Sequence, residues 1–168
     1  MKKILLPLTL LLLSSQALMA QQFSLPILPE KIWPSEYANY DNDVLNCCNW
    51  LLNAAPDFTQ PKREECTKFL LRWVEGSPEV HIVLSDDLTD AKQHDLMIAY
   101  IAAWSRYSIQ HKDMADDVLL CANVAVEDML VYYVAYKKNL GTSKTMEKLL
   151  RHQADGTLPA YITKCLTK

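Results

Sequence analysis

Two pairs of side chains in this sequence are of types that could transfer protons. Glu127 and Asp128 are adjacent carboxylates inside the otherwise apolar run 124–134. A carboxyl group buried there would have a raised pKa and could act as a general acid. Helical periodicity favours another interpretation, because Glu127 falls on one stripe with Asn123 and Asp116, as on a solvated face. We therefore predict no catalytic residue here and retain Glu127 and Asp128 only as candidates.

The second pair is His94 and Asp95, which could form a catalytic dyad. Adjacent residues of a helix point in different directions, so they cannot orient each other as the members of a catalytic triad do. We predict that both are polar surface residues that precede a buried stretch. His94 remains the third catalytic candidate.

Motifs of the common enzyme classes are missing from the sequence. It contains no Gly-x-Ser-x-Gly, His-Glu-x-x-His or Ser-x-x-Lys motif, no phosphate-binding glycine loop and no EF-hand loop. Structural zinc sites need Cys and His in spaced pairs. The histidines are scattered and none has a second His or a Cys three or four residues further on: His81, His94, His111 and His152. We predict neither a metal nor a cofactor.

The sequence contains five cysteines, Cys47, Cys48, Cys66, Cys121 and Cys165. In an exported protein they would meet an oxidising environment. A helical hairpin with its turn near residue 57 or 58 would set Cys48 or Cys47 opposite Cys66. Because Cys48 shares the apolar face of its helix, we predict a disulfide between Cys48 and Cys66, with Cys47 as the alternative partner. The Cys-x-x-Cys spacing of thiol oxidoreductases is absent.

Residues 1–20 have the organisation of a secretory signal peptide. Lys2 and Lys3 give a positive start, an apolar stretch follows, and small residues precede the possible cleavage sites after Ala20 or Ala17. A retained membrane anchor is the alternative, but the apolar stretch is only about half the roughly 20 residues that a spanning helix needs. We predict export to the periplasm or the extracellular space, with no membrane span after cleavage.

The composition of the remaining chain indicates one helical domain. Without Lys2 and Lys3, 15 basic and 20 acidic residues remain, a net charge of −5, which gives no basic surface for nucleic acid. Only three glycines are present, which disfavours a fold rich in tight hairpins. We assign residues 41–168 to a single helical domain.

The elements that would position the candidate residues are helices with short connections. Apolar periodicity and capping residues predict six of them, beginning near Asp41, Pro61, Thr89, Asp113, Thr142 or Ser143, and Leu158. The first two form an antiparallel hairpin. The third, with its unbroken apolar stretch 96–104, is the predicted central helix. Residues 80–84 alternate as a strand does, but no second strand is evident to pair with them, so we predict an extended connector. The fold class is all-α, a bundle or a stack of helical hairpins.

Residues 21–40 form a Pro-rich segment with Pro26, Pro29 and Pro34, a spacing that favours extended backbone. It is also rich in apolar side chains, so we predict an arm packed on the domain rather than one floating in water. The alternative is an arm that binds an aromatic-lined groove of a partner. Its candidate contact residues are Trp33, Tyr37 and Tyr40.

One weak resemblance covers most of the chain after residue 20. The run 49–52, then Pro56, Trp73 and the segment 76–78, resembles small exported helical proteins of Bacteroidetes-type bacteria that have no assigned function. The matching residues are packing and capping types, so the resemblance implies a bacterial source and transfers no catalytic residue.

These observations predict an exported, soluble, non-enzymatic protein that binds another macromolecule of the cell envelope. Two alternatives remain. One is a small envelope hydrolase that uses carboxylates, and the other is an inhibitor or immunity protein for an exported toxin.

Overall fold

The chain folds into an all-α bundle, as the sequence predicts. The computed structural model describes residues 23–57, 59–90 and 92–167. The predicted signal peptide and residues 21 and 22 therefore lie outside the described residues. Within the described part there are six α-helices and no strand. They are α1 (Asp41–Asn53), α2 (Pro61–Gly76), α3 (His94–Gln110), α4 (Val118–Leu140), α5 (Lys144–Ala154) and α6 (Leu158–Leu166).

Side-chain caps mark the starts of α4 and α5. The Asp117 carboxylate accepts a hydrogen bond from the backbone N–H of Leu120 at 2.9 Å, and the Ser143 hydroxyl accepts one from that of Met146 at 3.2 Å. Ser143, rather than the alternative Thr142, therefore caps α5. Gly141 follows the end of α4 with φ of 76°, a backbone conformation that favours glycine.

The starts of α3 and α4 are the main differences from the predicted boundaries. Helix α4 begins at Val118 and not near Asp113, which lies in a separate 3₁₀-helix, Lys112–Met114. Helix α3 begins at His94 and not near Thr89. The backbone N–H of Thr89 and its hydroxyl both donate to the carbonyl of Ser85, at 2.9 and 3.1 Å. Such local hydrogen bonds offer the chain an alternative to helix. Residues 85–90 consequently form turns, and the helix starts after them.

Helix α3 is the central helix of the bundle. It packs most extensively against α4 and α1, while α2 packs mainly on α1. Its predicted apolar stretch is buried except for Met97, which is half-buried. Tyr100 and Trp104 are fully buried and their ring centroids lie 5.7 Å apart in a tilted arrangement. The helix therefore supplies the middle of the core.

Helix α4 is, by length and composition, also apolar enough to cross a membrane. One side of it lies in the core, including Ala122, Met129 and Tyr133, which are 0% exposed. The core helix of a folded domain passes the same length and composition test. We therefore assign α4 to the bundle core. Its outer face carries two exposed aliphatic side chains, Val131 and Val134.

The segment that precedes α1 has two parts. Residues 23–33 have no regular secondary structure, and Pro34–Tyr40 forms a short 3₁₀-helix. The extended conformation predicted for residues 21–40 is therefore wrong for 34–40. Pro34 opens this 3₁₀-helix, and the Glu36 carboxylate accepts a hydrogen bond from the backbone N–H of Trp33 at 2.9 Å. Capping by Glu36 explains why extended backbone gives way to a helical turn.

Gly76 at the end of α2 lies against the ring of Tyr37. A Cβ atom at position 76 would overlap the Tyr37 hydroxyl and would lie 3.0 Å from its Cζ. We expect Gly76→Ala to lower the free energy of unfolding by about 1 to 3 kcal/mol, measured by urea denaturation, because the added methyl overpacks this contact. In a Tyr37→Phe background the same substitution should cost less, since the overlapping hydroxyl is gone. Equal losses in both backgrounds would contradict this explanation.

Candidate functional site

The candidate catalytic carboxylates lie on the surface of α4. Glu127 is exposed. Asp128 is half-buried and forms an ion pair with Arg106 of α3. Arg106 also donates a hydrogen bond to the side-chain oxygen of Asn49 at 3.4 Å. Asp128 therefore joins α4 to α3 through a cation, while Glu127 faces solvent.

His94 and Asp95 have different environments although they are neighbours in sequence. His94 is exposed, whereas Asp95 is 7% exposed. The prediction that both are surface residues is therefore wrong for Asp95. The reason is the partner of Asp95, since Arg63 of α2 donates a hydrogen bond to its carboxylate at 2.9 Å. Burial raises the pKa of Asp95, and the Arg63 guanidinium opposes that shift.

Arg63 is the centre of a buried polar cluster that joins α2 to α3, α4 and the end of α1. Its Nη2 donates to the backbone carbonyls of Ala54 and Ala55, at 2.8 and 3.0 Å, and to the Tyr132 hydroxyl at 3.0 Å. The guanidinium thus satisfies carbonyl groups at the end of α1, where positive charge is favourable. Arg63 itself is 3% exposed. The Arg63 cluster, with Asp95 and Tyr132, therefore fixes the end of α1 against α3 and α4.

A small cavity of about 230 Å³ opens beside this cluster. Its lining combines the buried ion pair with side chains of α2 and α3, namely Arg63, Glu64, Thr67, Lys68, His94 and Asp95. Most of the carboxylate and guanidinium atoms in it already have partners within the protein. The catalytic candidate His94 therefore lies at the edge of this cavity.

A larger surface groove lies between residues 25–28 and α2. Its volume is about 470 Å³, and its lining is mostly apolar with a charged rim: Leu25, Pro26, Ile27, Leu28, Glu65, Lys68, Phe69 and Arg72. Leu25, Leu28 and Phe69 also pack on the core. Ile27 does not, and its side chain is 96% exposed. Ile27 thus extends the apolar lining of the groove, and a concave apolar surface with a few polar groups at its edge is typical of binding sites.

Two cations of α2 hold the segment that forms this groove. Lys62 donates to the carbonyl of Phe23 at 2.7 Å, and its Nζ lies 4.0 Å from the centre of the Phe23 ring. Arg72, almost three helical turns further on, donates to the carbonyls of Pro29 and Glu30, at 3.1 and 2.7 Å. The segment is fastened on both sides of Ile27. The groove is thus formed by the fold itself.

The three aromatic candidates for partner binding are not equivalent. Trp33 is 58% exposed, with Lys31 Nζ 3.9 Å from the centre of a ring. Tyr40 is half-buried. Tyr37 is buried, its ring lies 6.4 Å from that of Trp73, and its carbonyl accepts a hydrogen bond from the Trp73 indole at 3.3 Å. Tyr37 therefore belongs to the core, and of the three only Trp33 offers a large exposed surface.

The predicted disulfide between Cys48 and Cys66 is absent, since all five cysteines are free and buried. The thiol that interacts most strongly with Cys66 is that of Cys47, the alternative partner. Cys48 is directed toward α3, where it meets the backbone of Arg106, and burial raises its pKa to about 12. Helix α1 packs on both α2 and α3, so its apolar pattern does not show which of the two cysteines faces α2.

Sequence reasoning missed Arg63 and the groove. In the sequence Lys62 and Arg63 are adjacent basic residues at the start of a helix, and nothing local distinguishes them. Only the packing of the bundle makes Lys62 half-buried and Arg63 buried. Among the described residues, no group of three or more His, Cys, Asp and Glu side chains is placed to hold a metal ion. Comparison with family models, curated proteins and solved structures gives no match to this chain.

Proposed function

We propose that the protein is exported, is not an enzyme, and binds an apolar segment of another polypeptide of the cell envelope in the groove beside α2. The observation that carries the proposal is this preformed apolar groove with Ile27 projecting from it. Export is supported by the signal-peptide pattern of residues 1–20, and a bacterial source by the resemblance described above.

The apolar character of the groove favours an apolar occupant. Leu25, Ile27, Leu28 and Phe69 present hydrocarbon over an opening that is wide enough for several side chains. Burying such a surface against a complementary apolar segment is favourable by about 25 cal/mol for each Å² removed from water. Ile27, which is 96% exposed, would then be buried as an anchor at the centre of the contact.

The backbone on one side of the groove favours a polypeptide as the occupant. Within residues 23–32, no amide or carbonyl group forms a backbone–backbone hydrogen bond among the described residues. The carbonyls near its two ends are occupied by Lys62 and Arg72. The backbone groups between them can pair with an extended chain laid beside the segment, which is a common mode of peptide recognition. The rim side chains Glu65 and Lys68 add polar contacts at the edge. An apolar polypeptide segment thus matches both the side chains and the backbone of the groove.

We expect Ile27→Asp to weaken binding of the partner about tenfold or more, because complex formation would bury an unpaired carboxylate. The partner is first captured from the native envelope by a photo-reactive amino acid at position 27 and identified. Its affinity for the purified wild-type and variant proteins is then measured by titration calorimetry. Ile27 contributes little to the fold, so the substitution should leave the unfolding free energy within about 0.5 kcal/mol of wild type.

Val131→Asp is the matched control, because Val131 is 68% exposed on α4, away from the groove. It should bind the partner with wild-type affinity. The proposal is wrong if the two variants bind equally well, or if the photo-reactive group at position 27 gives no adduct while one at position 131 does.

A further inference from the structure

Cys47 and Cys66 lie side by side in the interface between the first two helices. Cys47 belongs to α1 and Cys66 to α2, and both side chains are 0% exposed. The two thiols interact with each other across this interface. This interaction lowers the pKa of Cys66, with a further contribution from the nearby Lys62.

The geometry of the hairpin is suited to a covalent link at this position. A disulfide needs two facing Cβ atoms and a sulfur–sulfur distance of about 2.05 Å. The two helices are antiparallel neighbours joined by a short connection, and each contributes one of these fully buried cysteines to the side on which the helices pack. A bond forms when the two sulfurs approach to that distance. The other thiols differ in this respect, since Cys48 meets the backbone of α3 and Cys121 lies near Ser108.

We propose that Cys47 and Cys66 are a disulfide-forming pair that is oxidised when the chain folds in an oxidising compartment. This inference rests on the proposed export for its setting, because thiols oxidise outside the cytosol and stay reduced within it. The bridge fastens α1 to α2, which carries the groove and its two clamping cations. It therefore attaches the helix that carries the groove covalently to α1.

The oxidation is a thiol–disulfide exchange with a small or protein disulfide as the oxidant. One of the two thiolates attacks a sulfur of the oxidant, forming a mixed disulfide and releasing one thiol of the oxidant. The other thiolate then attacks the mixed disulfide at the protein sulfur, forming the Cys47–Cys66 bond and releasing the second thiol. Two electrons pass from the protein to the oxidant, and the two protons of the cysteines end on the released thiols.

The test begins with the reduced, unfolded chain lacking residues 1–20, refolded with oxidised and reduced glutathione. Mass spectrometry of the refolded protein, alkylated without reduction, should show a mass lower by two hydrogens and three alkylated thiols. Peptide mapping should link position 47 to position 66. Reduction should lower the melting temperature by about 6 to 12 °C, as expected for a loop of this length in a chain of this size.

Cys48→Ala is the matched control and should form the same bridge with the same shift, whereas Cys47→Ala and Cys66→Ala should abolish both. A link between Cys48 and Cys66, or five free thiols after refolding, would overturn the proposal. The oxidation state of Cys47 and Cys66 in the protein isolated from its native cells is then measured separately. A bridge that forms on refolding but is reduced in the cells would support the thiol pair and contradict export.

Discussion

Replacing Arg63 with methionine is expected to lower the free energy of unfolding by about 3 to 5 kcal/mol, the cost of breaking a buried ion pair from one side. Methionine retains much of the side-chain volume but donates no hydrogen bond. Asp95, 7% exposed, would be left as a buried carboxylate without its cation. The carbonyls of Ala54 and Ala55 would also lose their donor. Urea denaturation followed by circular dichroism measures the loss.

Lys68→Met is the matched control, because it removes the same charge from the same helix. The side chain of Lys68 is 75% exposed and pairs with Glu64, which is 63% exposed. An exposed pair of this kind contributes about 0 to 1 kcal/mol. If the Lys68 and Arg63 variants are equally stable, the Arg63 cluster does not hold the bundle together.

Replacing Asp95 as well separates the effect of the lost ion pair from the effect of lost packing. In Arg63→Met combined with Asp95→Leu, no charge remains buried, so the double variant should be more stable than Arg63→Met alone. The gain should be clear although the Ala54 and Ala55 carbonyls stay without their donor. A double variant that loses the sum of the two single effects would show that the charges act independently.

The Arg63 cluster also shows how far sequence reasoning reaches in this protein. Periodicity and caps predict the starts of α1, α2, α5 and α6 closely, because these signals are local and each helix carries its own apolar stripe. The start of α3 was misplaced because Ser85, through its backbone carbonyl, holds Thr89 in a turn. A local hydrogen bond of this kind competes with helix without changing the apolar pattern.

The site residues were harder to predict because their roles depend on contacts between helices. Asp95 is next to His94 in sequence, yet its burial depends on Arg63, which lies 32 residues away. Cys47 and Cys48 differ only by the rotation of one residue about the axis of α1. Which of them meets Cys66 depends on the packing of α2 and α3 on that helix. No periodicity within a single helix contains this information.

Trp73 joins α2 to the 3₁₀-helix that follows the groove segment. It is 2% exposed in the core, and its indole N–H donates to the carbonyl of Tyr37. We expect Trp73→Ala to lower the free energy of unfolding by about 3 to 5 kcal/mol, because it leaves a large cavity and an unpaired carbonyl. Trp73→Phe should cost less, since it keeps an aromatic ring at the contact with Tyr37.

Trp33→Ala is the control of the same residue type, because Trp33 is 58% exposed. This substitution should lower the free energy of unfolding by less than about 1 kcal/mol. The two variants should also differ in local stability. Trp73→Ala releases the 3₁₀-helix from α2, so trypsin should cut after Lys31 faster than in the wild type, at urea concentrations below the unfolding transition. Trp33→Ala should be cut there at close to the wild-type rate. Unchanged cleavage in Trp73→Ala would mean that Lys62 and Arg72 alone hold the groove segment in place, and that the core contact of Tyr37 contributes nothing to it.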